Sequence, residues 1–245
     1  MSVKAVGLAC LLVIALAGQV AAIIIDDFDH GVNTAWPPAV TRYPPPGSTT
    51  ATDTGLSGVI GGARELTVTA NFLPLFPGFF DPTDNVTAGA AVLGNFLDYS
   101  STLTAIGEVT LHYDRNGLGL NLSVGGFDHF QLIVIDADPA SVPYDVTVTV
   151  EDDWHNQASS TQTIPFPEWG PRTIAWPLAN FSGVDLNAVR SITLVIAPNF
   201  AADMRLDLFE VAGPPVPVPL LSPAAMLVLV VVLGAVGLTT IVRWR

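Results

Sequence analysis

Asp145-Val146-Thr147-Val148-Thr149-Val150-Glu151 alternates polar and apolar residues without a break. Successive side chains of an extended chain point to opposite faces, so the three valines share one face and the acids and threonines the other. That is the pattern of a strand with one side buried and the other wet. Working outward, Leu103–Tyr113, Leu118–Val124, Phe130–Ile135, Thr161–Phe166, Arg172–Trp176, Arg190–Ile196 and Met204–Val211 carry strand signals too. Ile23-Ile24-Ile25-Asp26-Asp27-Phe28 and Arg64–Ala70 add two more near the start. Between these, Gly31 to Gly62 is rich in Pro, Gly, Ser and Thr and reads as loop. Pro37-Pro38 and Pro44-Pro45-Pro46-Gly47 exclude helix or central strand there. Phe72–Gly94, with prolines among aromatics, reads as irregular. Asn116-Gly117 and Gly125-Gly126 mark hairpin turns, and Asp185–Val189 is expected to form one short helical turn. Many short strands without an amphipathic helix imply an all-β domain, a β-sandwich or jelly roll, over residues 23–213.

The two ends say where this domain goes. Lys4, the apolar run Ala5–Leu16 and the small residues Val20-Ala21-Ala22 have the layout of a secretory signal peptide, residues 1–22, with signal peptidase cutting after Ala22. At the other end, residues 214–223 form a Pro-rich linker and Ala224–Val242 carries no charge. A bilayer core takes a helix of about 20 apolar residues, so one C-terminal transmembrane helix is expected over 224–242. Arg243-Trp244-Arg245 then suits the cytoplasmic face. Cys10 is the only cysteine and leaves with the signal peptide, so the exported domain has neither disulfide framework nor thiol chemistry.

All 22 acidic residues lie between Asp26 and Glu210, against six arginines and no lysine, a formal net of −16 for that region. Such a surface repels nucleic acid and anionic headgroups, so no nucleic-acid partner is expected.

Val218-Pro219-Leu220-Leu221-Ser222, followed by the apolar span and the arginine-containing end, resembles the C-terminal sorting signals of Gram-negative bacteria of the PEP-CTERM and IPTL-CTERM types. Val218 and Leu220 stand where the second type has Ile and Thr, and Pro-Glu-Pro is absent. The resemblance implies an exosortase-like membrane protease as a partner. The protein would be anchored in the inner membrane by its tail, or processed and displayed at the cell surface or in the extracellular matrix.

Asp26-Asp27-Phe28-Asp29-His30-Gly31, with Trp36 beyond, resembles the opening of carbohydrate-binding jelly rolls of the galactose-binding-like class. Val189–Ile196 and Met204–Val211 resemble their end. This resemblance implies that the first and last strands meet at a structural calcium site, fed by Asp27 or Asp29 and by Asp207. Calcium takes about six to eight oxygen ligands, so backbone carbonyls and water would complete it.

Chemistry is sparse. Asp152-Asp153-Trp154-His155 follows a strand, but neighbouring side chains diverge, so a turn is expected rather than an acid–base or metal pair. His30, His112, His129 and His155 lack zinc spacing. Asp114-Arg115-Asn116-Gly117 and Asp136-Ala137-Asp138 read as loop acids without an EF-hand. Nucleophile-elbow, Walker and Rossmann patterns are absent. Trp154 and Trp169, in expected loops, are the residues to stack on a glycan, with core packing the competing role; Trp176, on an alternating strand, belongs to the core.

The expected function is a non-enzymatic exported surface or extracellular-matrix protein that binds extracellular polysaccharide or calcium. The alternative is a secreted polysaccharide hydrolase using loop carboxylates, and a third is a structural biofilm component without a small ligand. A hydrolase requires two facing acids in a concave site. A binding module requires a groove or flat face with exposed tryptophan.

Overall fold

The computed structural model describes residues 22–31, 34–35, 47–72, 88–93, 95–102, 105–114, 117–138, 143–164, 170–198 and 202–214. All belong to one compact unit, Ala21–Pro214. The helix expected over 224–242, the sorting motif Val218–Ser222, Trp36 and Trp169 lie outside the described residues. Within them, no helix is long and apolar enough to cross a membrane.

In chain order the strands are β1 (Ala22–Asp26), β2 (Thr34–Ala35), β3 (Gly47–Thr54), β4 (Ala63–Phe72), β5 (Ala88–Leu93), β6 (Phe96–Ser101) and β7 (Ala105–Tyr113). There follow β8 (His129–Asp138), β9 (Tyr144–Asp152), β10 (Gln157–Ile164), β11 (Arg172–Pro177), β12 (Val189–Ala197) and β13 (Asp203–Ala212). One sheet runs β11-β8-β13-β6-β5-β2, with β1 also paired to β13; the other runs β10-β9-β12-β7-β4-β3. Every pairing is antiparallel. The two sheets close on a shared core as a β-sandwich, the all-β architecture expected from the alternating strands.

The deciding stretch behaves as its alternation requires. Val146, Val148 and Val150 are buried, Asp145 is exposed, and Thr147, Thr149 and Glu151 are half-buried. Ile192, Leu194 and Ile196 on β12 and Val109, Leu111 and Tyr113 on β7 extend that inner face. From the facing sheet come Phe130, Leu132 and Val134 on β8 and Leu206, Phe209 and Val211 on β13. Phe130 stands edge-on to Phe181 at 5.2 Å and stacks on Phe209 at 6.0 Å, arrangements that suit the ring quadrupoles. Trp176 is fully buried, as expected, and its indole Nε1–H donates to the Val146 carbonyl at 3.3 Å, joining β11 of one sheet to β9 of the other. Sheet separation is tight where Tyr99 crosses: a Cβ on Gly107 would lie 1.8 Å from the Tyr99 hydroxyl, so β7 needs glycine there.

Several local expectations fail for identifiable reasons. Gly31–Gly62 contains β3, which pairs with β4 over eight residues; as an edge strand it needs little apolar content. Phe72–Gly94 contains β5, whose Ala-Gly-Ala-Ala run has no alternation because both of its faces are largely covered. Leu118–Val124 is not a strand: it makes the isolated bridge Leu120↔Val189 and two further backbone bonds, from the Leu118 N–H to the Arg190 carbonyl and from the Leu122 N–H to the Leu186 carbonyl. Gly117 and Gly119 sit at φ +83° and +57°, which breaks extension. β7 and β8 fall in different sheets, so Gly125-Gly126 closes no hairpin between them, and Asn116 lies outside the described residues. Asp185–Val189 makes a tight turn, with the Ala188 N–H donating to the Asp185 carbonyl at 3.0 Å, rather than a helical segment.

First and last strands meet, with Ala22 opposite Ala212, Ile23 opposite Val211 and Ile24 opposite Glu210. A bulge at Ile25 then puts Asp26 opposite Phe209. The extra residue reverses the facing of the next side chain, and Asp26 turns into the core. There its carboxylate accepts from Arg64 Nη1 at 2.7 and 2.8 Å and from the Tyr113 hydroxyl at 2.9 Å. The Phe28 N–H donates to it as well, at 2.9 Å, which holds Phe28 at φ +51°. Arg64 Nη2 donates to the His30 carbonyl at 2.8 Å. One buried ion pair thus ties β1 to β4 and β7 of the opposite sheet.

Candidate functional site

Asp27 and Asp29 follow the end of β1, and Asp207 lies on its partner strand β13. Asp27 accepts from the Asp29 N–H at 3.0 Å and lies 3.4 Å from His30 Nδ1, so its carboxylate closes a local turn. Its oxygens lie where a Cβ on Gly58 would be, and Asp29 is exposed. Asp207 is the extra, half-buried residue of a bulge in β13, skipped between Leu206↔Val134 and Leu208↔Ile133. Among the described residues, no group of three or more His, Cys, Asp or Glu side chains is gathered as a metal site. Ala22, the expected cleavage residue, is the exposed first residue of β1.

The Asp152–His155 cluster is a turn between β9 and β10, and its two acids diverge as the alternation requires. Asp152 points in and accepts from the backbone N–H groups of Trp154, Asn156 and Asp185 and from Asn156 Nδ2, at 2.9–3.0 Å. Desolvation pushes this carboxyl up, but hydrogen bonds from Asp185, Asn156 and Trp154 outweigh it and hold its pKa at about 2. Asp153 faces solvent. His155 takes φ +64° and its Nδ1 lies 2.6 Å from Glu151 Oε1. The turn presents Trp154 with 78% of its surface exposed, so its ring is not packed in the core. A tryptophan this bare on a pinned turn is unusual, because its ring is a large apolar surface.

A second feature has no counterpart in the sequence-based expectations. On the outer face of the sheet β8-β13-β6, a cleft of about 320 Å³ is lined by Asp98, Ser100, Asp136, Asp203 and Arg205, with Tyr99 and Met204. Register builds it: Arg205 on β13 lies opposite Asp98 on β6 and opposite Asp136 on β8, and Asp203 lies opposite Ser100. Arg205 donates through Nε to Asp98 Oδ1 at 2.6 Å and through Nη2 to Asp98 Oδ2 at 3.2 Å. The Asp98 hydrogen bonds and charge hold the guanidinium above its ordinary pKa. Its Cζ lies 5.1 Å over the Phe96 ring, which braces the flat group from beneath. Asp136 and Asp138, expected in a loop, lie on β8 instead.

The cleft therefore offers a planar fork of donors, a matched carboxylate, two further carboxylates and a serine hydroxyl. Carboxylates and guanidinium groups hydrogen-bond two neighbouring hydroxyls at once, whereas three acids against one arginine disfavour an anionic ligand. Asp98, Asp136 and Arg205 are separated by tens of residues, and no local pattern signals a site made by register alone.

No protein-family model matches the chain, and no curated protein matches it. Among solved structures, the chain is similar to the family 11 carbohydrate-binding module of the cellulosomal cellulase Lic26A-Cel5E of Clostridium thermocellum. Identity is 14% and the TM-score 0.40, over 80% of this chain and 97% of that one. It is also similar to a CBM4 structure at 11% identity and TM-score 0.31, over 76% and 96%. The agarase AgWH50C matches at 14% identity and TM-score 0.38, over 60% of this chain and 25% of that one.

Proposed function

We propose that the chain is a non-enzymatic exported surface or extracellular-matrix protein that binds a neutral polysaccharide. The observation that carries this reading is the outer-sheet cleft, where Arg205 and Asp98 form a braced fork beside Asp136 and Asp203. Sugars present pairs of adjacent hydroxyls to such a fork, and the excess of carboxylates selects against polyanions. Trp154 supplies a separate stacking surface of the kind a sugar ring covers. Calcium at Asp27 or Asp29 with Asp207 is a separate proposal, in which backbone carbonyls and water would complete the ligand shell.

The test is retention of the full-length protein on gels containing mixed-linkage glucan, xyloglucan, agarose or, as the polyanion, alginate. At least one neutral polymer is expected to retard it and alginate is not. A hydrogen bond to a charged group contributes about 1.5–3 kcal/mol, so Arg205→Ala is expected to weaken retardation by about ten- to a hundredfold. Trp154→Ala is expected to weaken it less, because stacking on an exposed ring contributes less than a charged fork. Retardation by alginate alone, or no change in Arg205→Ala, would overturn the assignment to the cleft. Release of new reducing ends from any polymer would instead favour the hydrolase, for which Asp136 and Asp203 are the free-standing acids of the cleft.

Display through the tail belongs to the same proposal and rests on Val218–Ser222 and the uncharged run after it. The mass of the C-terminal peptide from native cells checks it. A chain ending near Pro219–Ser222 is the expected result for a sorted protein, and an intact Arg245 the result for a permanent anchor.

A further inference from the structure

The sheet opposite the cleft ends on two strands with almost no defence against pairing. β10, Gln-Ala-Ser-Ser-Thr-Gln-Thr-Ile, contains no charge, proline or glycine, and β3, Gly-Ser-Thr-Thr-Ala-Thr-Asp-Thr, carries only Gly47 at its start and Asp53. Each pairs with its inner neighbour over eight consecutive residues without a bulge. Edge strands are ordinarily blunted by lysine, proline, bulges or short length, and these two have none of those devices. Among the described residues, no backbone–backbone hydrogen bond from another segment closes either edge.

The two edges also match one another. Following the register across all six strands, one transverse row reads Thr161, Thr147, Val195, Thr110, Thr67, Thr50. Thr161 on one edge and Thr50 on the other therefore sit at the same height. Because the strands number six and alternate in direction, β10 and β3 run oppositely. A second copy placed beside the first, without being turned over, brings its β3 antiparallel to β10 with Thr50 opposite Thr161. All eight residues then pair, from Gln157 with Thr54 to Ile164 with Gly47, and outer faces meet outer faces. The outer face already runs hydroxyl to hydroxyl within the chain, Thr147 to Thr161 and Thr50 to Thr67, each at 2.8 Å. Thr–Thr contact across the new pair continues that ladder.

We propose that the protein assembles head to tail with further copies of itself, β10 of one copy pairing in register with β3 of the next. The contact is heterologous: different surfaces meet, so the chain of copies does not close in pairs and grows as a filament. Strand twist accumulates across each six-stranded sheet, which makes the filament helical rather than flat. The formal net charge of −13 opposes the contact from a distance, while the joining strands are nearly uncharged. Raising ionic strength from about 0.01 M to about 0.15 M shortens the Debye length from about 30 to about 8 Å and should promote assembly.

The experiment is oxidative cross-linking of the full-length protein in a Cys10→Ser background, with Thr50→Cys and Thr161→Cys combined. Within one chain the two positions are five strand spacings apart, about 24 Å, too far for a disulfide. The double variant is expected to give a ladder of dimer, trimer and larger species on a non-reducing gel, stronger at 0.15 M salt. Either single variant should give nothing above dimer, and pairing Thr161→Cys with Ser48→Cys, two residues out of register, should give a weaker ladder. Absence of the ladder in the double variant would overturn the proposal. So would an equal ladder from the out-of-register pair, the signature of crowding through the apolar tail.

Discussion

Replacing Arg64 by methionine is expected to destabilise the protein by about 3–5 kcal/mol, because it leaves a buried carboxylate without its counter-ion. Asp26 and Arg64 are both fully buried, and Arg64 Nη1 donates to both carboxylate oxygens, at 2.7 and 2.8 Å. Without the guanidinium, Asp26 keeps the Tyr113 hydroxyl and the Phe28 N–H, two dipoles in place of a charge. Urea denaturation followed by tryptophan fluorescence measures the change in midpoint. Replacing Asp26 by leucine as well should recover most of the loss, since the expense lies in the unpaired charge rather than in the missing pair. A loss below about 1 kcal/mol for Arg64→Met, the size of an exposed pair, would mean that water reaches Asp26.

The pH dependence of that variant has a definite sign. Burial already pushes the Asp26 carboxyl above its ordinary value, against the pull of Arg64, Phe28 and Tyr113. Removing Arg64 removes the largest lowering influence, so the folded-state value rises further. A carboxyl with a raised folded-state pKa binds more protons folded than unfolded, and its penalty shrinks as pH falls through that value. The gap between Arg64→Met and the parent protein should therefore narrow from neutral pH toward the ordinary carboxylate range.

Trp176→Ala is the second large effect, at about 3–5 kcal/mol, the range for emptying a buried aromatic site. Among the described residues Trp176 is the largest fully buried side chain, and it links the sheets through its bond to the Val146 carbonyl. Trp176→Phe keeps an aromatic ring but not the Nε1–H, and should recover a large part of the loss. Denaturant midpoints of the two variants separate volume from the hydrogen bond. Equal losses for Ala and Phe would assign the whole effect to that bond between the sheets.

The residues of these two predictions differ in how far their roles could be read in advance. Trp176 sits on an alternating strand beside Ile174, and period two alone places it inside. Arg64 opens a strand and reads there as a polar end. Only the bulge at Ile25 turns Asp26 rather than Asp27 toward it, and a one-residue bulge leaves no mark in the pattern of Asp26-Asp27-Phe28-Asp29. Trp154 was legible as a loop tryptophan, but its exposure depends on Asp152 gathering four donors from as far along the chain as Asp185.

Composition, alternation and the end segments by themselves determined an all-β domain, a core faced by Val146, Val148 and Val150, and the expectation of export. Those are properties of a residue and its near neighbours: which face a side chain takes, and whether a run is apolar enough. Tertiary structure alone decided that β3 and β5 exist, that Asp26 is buried, that Arg205 lies between Asp98 and Asp136, and that Thr50 and Thr161 share a row. Each of those depends on register between strands far apart in the chain. Register is chosen by the sum of packing and hydrogen bonding over a whole sheet, and no short stretch of sequence contains that sum.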